Sequence, residues 1–158
     1  MNEPVVVSAV RTPVGTAMKG TLRNTSAETL ATHILAETVR RSGFEPDAVD
    51  DVVFAESMYG GGDLARYAAV AAGMVGVPGL AVNRHCTGSL SAVGIAASTV
   101  RAGMESVVVA GGVQSTSMMP RSVWRIADSE ETETRIAPTF PYTEDAADDT
   151  SLSVGRNI

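Results

Sequence analysis

The chain has 158 residues, of which 44% are hydrophobic, a length and composition that suit one globular domain with a core. Its formal net charge of −6 argues against a nucleic-acid partner, because binding to phosphates requires clustered lysine and arginine. Its single cysteine excludes an internal disulfide bond. Since no apolar run reaches the length of a membrane span and the N-terminus does not resemble a signal peptide, we expect a cytoplasmic protein with no membrane contact.

Apolar runs and helical repeats alternate along most of the chain. Strands, recognised by β-branched residues between turn signals, are predicted at residues 4–9, 51–55, 80–83 and 106–110. Helices, recognised by apolar residues at helical spacing, are predicted at residues 26–43, 64–75 and 87–102. Short connections between alternating strands and helices indicate an α/β fold, with a mostly parallel sheet covered by helices on both faces.

This alternation ends after the fourth predicted strand. Glycine, serine, threonine and acidic residues dominate the rest of the chain, with modest apolar anchors only at residues 123–126 and 136–142. The acidic runs at 128–133 and 144–149 are typical of solvated faces rather than of ion sites. The sequence therefore predicts an α/β domain over residues 1–117 and an irregular segment over residues 118–158.

The only cysteine, Cys86, stands where the third predicted strand gives way to the third predicted helix. A sulfur at a helix N-terminus lies close to unpaired backbone N–H groups and to the positive end of the dipole, which favours the reactive thiolate. A lone cysteine is more often a small buried hydrophobic residue, so this position alone leaves both interpretations open. The helix contains Gly88 and Gly94, each costing about 1 kcal/mol relative to alanine. We therefore expect a buried central helix in close contact with its neighbours, with Cys86 in its first turn.

Other residues that suggest binding chemistry are assigned structural roles. One cysteine and two distant histidines, His33 and His85, do not make a metal site. Arg11 is interpreted as a loop anchor, and Arg66 as a helix-surface or subunit contact, rather than as phosphate ligands. His85 is not assigned as a base for Cys86, because adjacent side chains diverge and a base must lie within hydrogen-bond distance of the nucleophile.

Four segments together resemble signatures of the thiolase family, in the family's order and roughly its spacing. They are residues 8–15 (SAVRTPVG), residues 65–69 with 72–73, residues 83–86 (NRHC), and residues 108–112 with 115–120. The resemblance is to the N-terminal half of acetyl-CoA acetyltransferases and 3-ketoacyl-CoA thiolases. It implies one βαβαβαβ half of a layered αβαβα body, followed by the start of an inserted CoA-binding loop domain after residue 117.

The resemblance also implies a chemistry for Cys86. In thiolases the matching cysteine attacks the carbonyl carbon of an acyl-CoA and becomes acylated, and its backbone N–H helps to hold the oxyanion. The substrates would be acyl-CoA and CoA, with no covalently bound cofactor, in a step of lipid metabolism whose direction and acyl chain length stay open. Val154 and Gly155 resemble the family's Met-Gly element, which lies near the pantetheine of CoA.

The chain departs from the family pattern in two respects. After the nucleophile the family reads Cys-x-Ser-Gly, whereas here Gly88 precedes Ser89. The C-terminal half, which supplies an activating histidine, a second cysteine and an asparagine, has no counterpart, so the lone chain is expected to be inactive. The implied partners are a C-terminal thiolase half, separate or missing, and further copies in a homodimer or homotetramer. The alternative is a catalytically inactive thiolase-like module for CoA binding or oligomerisation.

Overall fold

The computed structural model describes residues 2–57, 59 and 62–135, which form two compact units that divide between Pro120 and Arg121. In the first unit the helices are α1 (Ala27–Ser42), α2 (Leu64–Ala71) and α3 (Gly88–Ala102). Its strands are β1 (Asp51–Ala55), β2 (Gly79–Val82) and β3 (Val108–Gly112). Short 3-10 turns are formed by Pro46–Ala48, His85–Thr87 and Thr116–Met118.

The three strands form a parallel sheet in the order β2-β1-β3, with Val52 of β1 opposite both Gly79 and Val109. Alternate residues of β1 serve opposite faces. Val52 and Phe54 belong to the main core, which they share with buried residues of α1 and α2. Ala55 lies against the start of α3 on the other side. The prediction of a parallel sheet between helical layers is confirmed.

Helix α1 lies within one residue of its predicted bounds at each end, because residues 26 and 43 cap it. The hydroxyl of Ser26 accepts a hydrogen bond from the backbone N–H of Thr29 at 3.2 Å, which satisfies one of the free donors of the first turn. Gly43 follows the helix with a φ of 78°, a left-handed conformation that glycine adopts without steric cost. Leu35 and Val39 are buried, as their helical spacing predicts.

The prediction of a strand at residues 4–9 is wrong. The segment has no regular secondary structure, and Val5, Val6 and Val7 are between 59% and 81% exposed. Together with β3 it lines a groove of about 530 Å³, but no described strand pairs with it. Its β-branched composition favours an extended backbone, whereas a strand also needs a hydrogen-bonding neighbour, which residue types do not specify.

Strand β3 begins two residues later than predicted because the preceding N–H groups are bound elsewhere. The backbone N–H groups of Ser106 and Val107 donate to the carboxylate of Asp50 at 2.7 and 3.0 Å. These two hydrogen bonds lower the pKa of Asp50, and the bond from Val107 has the larger effect. The side chain that precedes β1 therefore fixes the start of its neighbour β3.

Helix α2 ends at Ala71, four residues before its predicted end, and Gly73 then takes a φ of 86°. The guanidinium of Arg66 donates to the main-chain oxygens of Val75 and Val77 at 2.9 and 2.5 Å. Arg66 is thus an anchor for the connection from α2 to β2, a role that its interpretation as a helix-surface or subunit contact did not include.

The second unit contains an antiparallel hairpin of β4 (Ser122–Arg125) and β5 (Thr132–Arg135), in which Trp124 is opposite Glu133. The prediction that residues 118–158 are irregular is therefore wrong for residues 122–135. The hairpin escaped prediction because β5 is polar, and its pairing is made by backbone groups that leave no apolar pattern. Residues 136–142 and 144–149 lie outside the described residues.

Candidate active site

Polar side chains follow all three strands at one edge of the sheet. Ser57 lies two residues beyond β1, Asn83 directly follows β2, and Gln114 lies two residues beyond β3. The amide Nδ2 of Asn83 donates to the main-chain oxygen of Ser57 at 3.3 Å, and the hydroxyl of Ser57 donates to Oε1 of Gln114 at 3.4 Å. Hydrogen bonds therefore connect the carboxyl ends of the parallel strands, where α/β proteins bind their ligands.

Cys86 is exposed at this edge, in a turn formed by residues 83–87 that we call the Cys86 turn. Oδ1 of Asn83 accepts a hydrogen bond from the backbone N–H of His85 at 3.0 Å. Thr87 donates to the main-chain oxygen of Arg84 through its backbone N–H at 3.1 Å and its hydroxyl at 2.9 Å. His85 has a φ of 47°, in the left-handed region that residues other than glycine rarely adopt.

The structure corrects two expectations about the third helix. Helix α3 begins at Gly88, so Cys86 lies in the 3-10 turn before the helix and not in its first turn. The helix is not buried all round either, because Leu90 and Val93 are 76% and 46% exposed. The buried residues of α3 are small and lie on one face: Gly88, Ala92 and Ala96.

Helix α3 approaches the sheet closely at Gly88 and Gly112. A Cβ atom on Gly88 would lie 2.7 Å from Cβ of Ala55, and one on Gly112 would lie 2.9 Å from the same atom and would overlap the hydroxyl of Ser89. Glycine at 88 and serine at 89, the reverse of the family order, therefore match the space that is available. The predicted close contact of the third helix with its neighbours is confirmed at Gly88 and Gly112; a Cβ on Gly111 would meet only ordinary contacts with Phe54.

The two glycines of α3 are expected to respond oppositely to substitution. Gly88→Ala should lower the free energy of unfolding by about 1–3 kcal/mol, because the added methyl group has no space against Ala55. Gly94→Ala should raise it by about 0.5–1 kcal/mol, because nothing lies within 4 Å of its added carbon and alanine is the better helix former. Urea denaturation of both variants measures the difference, and equal effects would contradict this packing.

The segment after β3 is held to the segment before α1. The hydroxyl of Ser115 donates to the main-chain oxygen of Thr25 at 2.6 Å, and Ser117 accepts a hydrogen bond from the backbone N–H of Met18 at 2.8 Å. Ser115 is buried. These contacts fix the chain on the C-terminal side of Gln114 and so support the polar edge.

The connection after β1 is held to α1 by a hydrogen bond from the hydroxyl of Tyr59 to the carboxylate of Glu28. The bond lowers the pKa of Glu28 and raises the pKa of Tyr59 to about 12, because it stabilises the charged carboxylate and the neutral phenol. The loop that begins with Ser57 is therefore attached to the first turn of α1.

Removing this bond with Tyr59→Phe should lower the free energy of unfolding by about 1 kcal/mol at neutral pH. The contribution is present above the ordinary glutamate pKa of 4.5 and is lost as the pH falls through the lower folded-state value. It is present below the ordinary tyrosine pKa of 10.0 and is lost as the pH rises to about 12. Denaturation across this range, with Tyr67→Phe as an exposed control, should show a difference that narrows at both ends; a pH-independent difference would contradict this assignment.

The remaining predicted site residues do not join this edge in the described part of the chain. His33 is exposed on α1, and Arg11 donates to the main-chain oxygen of Thr12 at 3.3 Å, as expected for a loop anchor. Val154 and Gly155 lie outside the described residues. Over residues 2–57, 59 and 62–135, no group of three or more His, Cys, Asp or Glu side chains is placed to hold a metal ion. In the same ranges no helix has the length and apolarity needed to cross a membrane.

Comparison with known proteins agrees with this arrangement. The family described as "Thiolase, N-terminal domain" matches residues 4–147. A 3-ketoacyl-CoA thiolase of Colwellia psychrerythraea is 33% identical over 125 residues, covering 76% of this chain and 32% of that protein. An acetyl-CoA acetyltransferase of Cupriavidus necator is 33% identical over 145 residues, covering 86% of this chain and 37% of that protein.

A solved structure shows the same fold. The crystal structure of the Bacillus anthracis acetyl-CoA acetyltransferase superposes with a TM-score of 0.77 at 34% sequence identity, covering 86% of this chain and 36% of that one. The chain thus spans about a third of the length of the relatives that it matches. The match covers the strands, the helices and the Cys86 turn, so the chain belongs to the thiolase family and corresponds to its N-terminal domain.

Proposed function

We propose that this chain is the nucleophile-bearing part of a thiolase-type acyltransferase, with Cys86 as the acyl acceptor. The observation that carries the proposal is the position of Cys86, which is exposed at the carboxyl edge of a parallel sheet and two residues before α3. An exposed thiol beside a helix N-terminus is accessible to an acyl donor and lies where anions are stabilised.

The proposed reaction is thiolytic cleavage of a 3-ketoacyl-CoA. A base takes the thiol proton of Cys86, and the sulfur forms a bond to the C3 carbonyl carbon, while the developing oxyanion is held by the backbone N–H of Cys86 and a second donor until it re-forms the C=O bond. The C2–C3 bond breaks, and the departing acetyl-CoA carbanion takes up a proton. The sulfur of CoA then loses its proton and forms a bond to the acyl carbon, and the bond from that carbon to the Cys86 sulfur breaks. The products are free Cys86 and the shortened acyl-CoA. The reverse sequence condenses two acyl-CoA molecules.

We further propose that a C-terminal thiolase half completes the site by supplying the groups that activate Cys86 and protonate the carbanion. Two exposed apolar residues of α3, Leu90 and Val93, support this proposal, because exposed apolar surface of this kind is typical of an interface. The residues after Pro120 would begin the CoA-binding loop domain, with Val154 and Gly155 near the pantetheine. Acyl-CoA and CoA would be the substrates of a cytoplasmic homo-oligomer.

Complementation tests the proposal. The chain is co-expressed with the C-terminal two thirds of the Cupriavidus necator relative, and native mass spectrometry determines whether the two pieces assemble. Thiolysis of acetoacetyl-CoA is then measured for the complex and for each piece alone. We expect activity only in the complex. An assembled complex without thiolysis would contradict the proposed function and favour the inactive module.

A further inference from the structure

Asn83 uses both ends of its side-chain amide to connect the Cys86 turn to the sheet. Its Oδ1 accepts from the backbone N–H of His85 at 3.0 Å, and its Nδ2 donates to the main-chain oxygen of Ser57 at 3.3 Å. Asn83 directly follows β2, whereas Ser57 lies beyond the central strand β1. One side chain therefore holds the residue before Cys86 and the end of a neighbouring strand.

The conformation that Asn83 holds is a strained one. His85 has a φ of 47°, in the left-handed region that is sterically unfavourable for a residue with a Cβ. Such a conformation persists only where the surroundings determine it. The hydrogen bond from the N–H of His85 to Asn83 acts on the strained residue itself, and the bond to Ser57 prevents the amide from moving with it.

The direction of the chain at His85 decides where Cys86 points. Cys86 is the next residue, and α3 begins two residues later at Gly88, where an added Cβ would lie 2.7 Å from Cβ of Ala55 in β1. Since both α3 and β1 are fixed, relaxation of φ at His85 must be taken up by the short stretch that contains Cys86. That movement would displace the Cys86 sulfur from its exposed position before α3.

We propose that Asn83 is a positioning residue, which holds the Cys86 turn in its left-handed conformation and thereby aligns Cys86 with α3 and the strand ends. The inference rests on the proposed role of Cys86 as acyl acceptor. Asn83 acts through backbone groups and need not touch the substrate. A merely structural asparagine would contribute to stability alone, whereas a positioning asparagine also sets the reactivity of the only thiol in the chain.

The test measures alkylation of Cys86 by iodoacetamide in the full chain, followed by intact mass, alongside the melting temperature of each variant. Asn83→Ala should lower the alkylation rate about fivefold, because release of the Cys86 turn moves the sulfur from its exposed position before α3. Asn83→Ser keeps a short acceptor for the N–H of His85 and should recover most of the rate. Asn24→Ala is the matched control: it removes the amide of an exposed asparagine outside the polar edge, and should stay within about twofold of the wild type.

A second background isolates the strain. Glycine adopts a positive φ without steric cost, so in a chain carrying His85→Gly the further change Asn83→Ala should alter the alkylation rate by less than about twofold. Comparing His85→Gly with the double variant also tests the role of Asn83 if Asn83→Ala alone does not fold. An unchanged or faster rate in folded Asn83→Ala, or an equal loss in the His85→Gly background, would overturn the inference. An assembled complex with a C-terminal thiolase half whose Cys86 is alkylated but never acetylated by acetyl-CoA would instead contradict the proposed function and leave the role of Asn83 to be judged by alkylation.

Discussion

Replacing Cys86 with serine is expected to reduce thiolysis by the assembled enzyme by about 10⁴-fold or more, the loss typical of removing a covalent nucleophile. The hydroxyl of serine is a far weaker nucleophile than a thiolate, and the rest of the exposed turn can accommodate it without repacking. The measurement is the rate of acetoacetyl-CoA cleavage by the complex of this chain with a C-terminal thiolase half.

The control for this loss is His33→Ala, which alters an exposed residue of α1 away from the strand ends. It should leave the rate unchanged, as long as both variants melt and assemble like the wild type. If Cys86→Ser kept a rate within tenfold of the wild type, Cys86 would not be the acyl acceptor.

Gly79→Ala is expected to have the largest effect on folding of any single methyl group added to the described glycines. A Cβ on Gly79 would lie 2.6 Å from Cα of Arg66 and 2.7 Å from the carbonyl carbon of Ala65, which are backbone atoms of α2. Helix α2 cannot withdraw, because its Leu64, Ala65, Ala68 and Ala69 are fully buried. We expect the free energy of unfolding to fall by about 3 kcal/mol or more.

The matched control for Gly79→Ala lies three residues earlier, in the connection from α2 to β2. Gly76 has nothing within 4 Å of an added Cβ and no positive φ, so Gly76→Ala should change stability by less than about 0.5 kcal/mol. Urea denaturation of the two variants compares them directly. If both were equally stable, β2 and α2 would not be packed backbone against backbone.

The regular elements of the first unit could be predicted where local signals agree with one another. Helix α1 has a capping serine, a buried apolar face and a terminal glycine, and it lies within one residue of its predicted bounds at each end. Strand β1 is a continuous apolar run that is buried from Val52 onwards. Each of these elements specifies its own backbone, so neighbouring residues suffice to recognise it.

Elements whose formation depends on distant groups could not be predicted in this way. Residues 4–9 have the composition of a strand but lack a paired neighbour. The polar strand β5 forms because β4 offers its backbone, and the start of β3 depends on the carboxylate of Asp50, more than fifty residues earlier in the chain. None of these pairings has a local signal in the residues concerned.

The sequence predicts the position of the candidate nucleophile Cys86, but it does not predict the hydrogen bonds that hold the turn around it. The position of Cys86 at the boundary between strand and helix follows from the local pattern and from the motifs around it. The supporting roles of Asn83 and Ser57 could not be predicted, because the hydrogen bond between them joins residues 26 positions apart. The signal that was available is positional: each of them follows closely on a strand of a parallel sheet, at the edge where α/β proteins bind ligands.

The most direct test of the account is acylation of the chain itself. The protein is incubated with excess acetyl-CoA, quenched in acid and weighed intact, beside a Cys86→Ser control and with a C-terminal thiolase half present or absent. Because Cys86 is the only cysteine of the chain, a single acetyl adduct that disappears in the control would be assigned to the Cys86 sulfur. The account predicts this adduct in the complex. Its absence from a folded and assembled complex would contradict the assignment of Cys86 as the acyl acceptor.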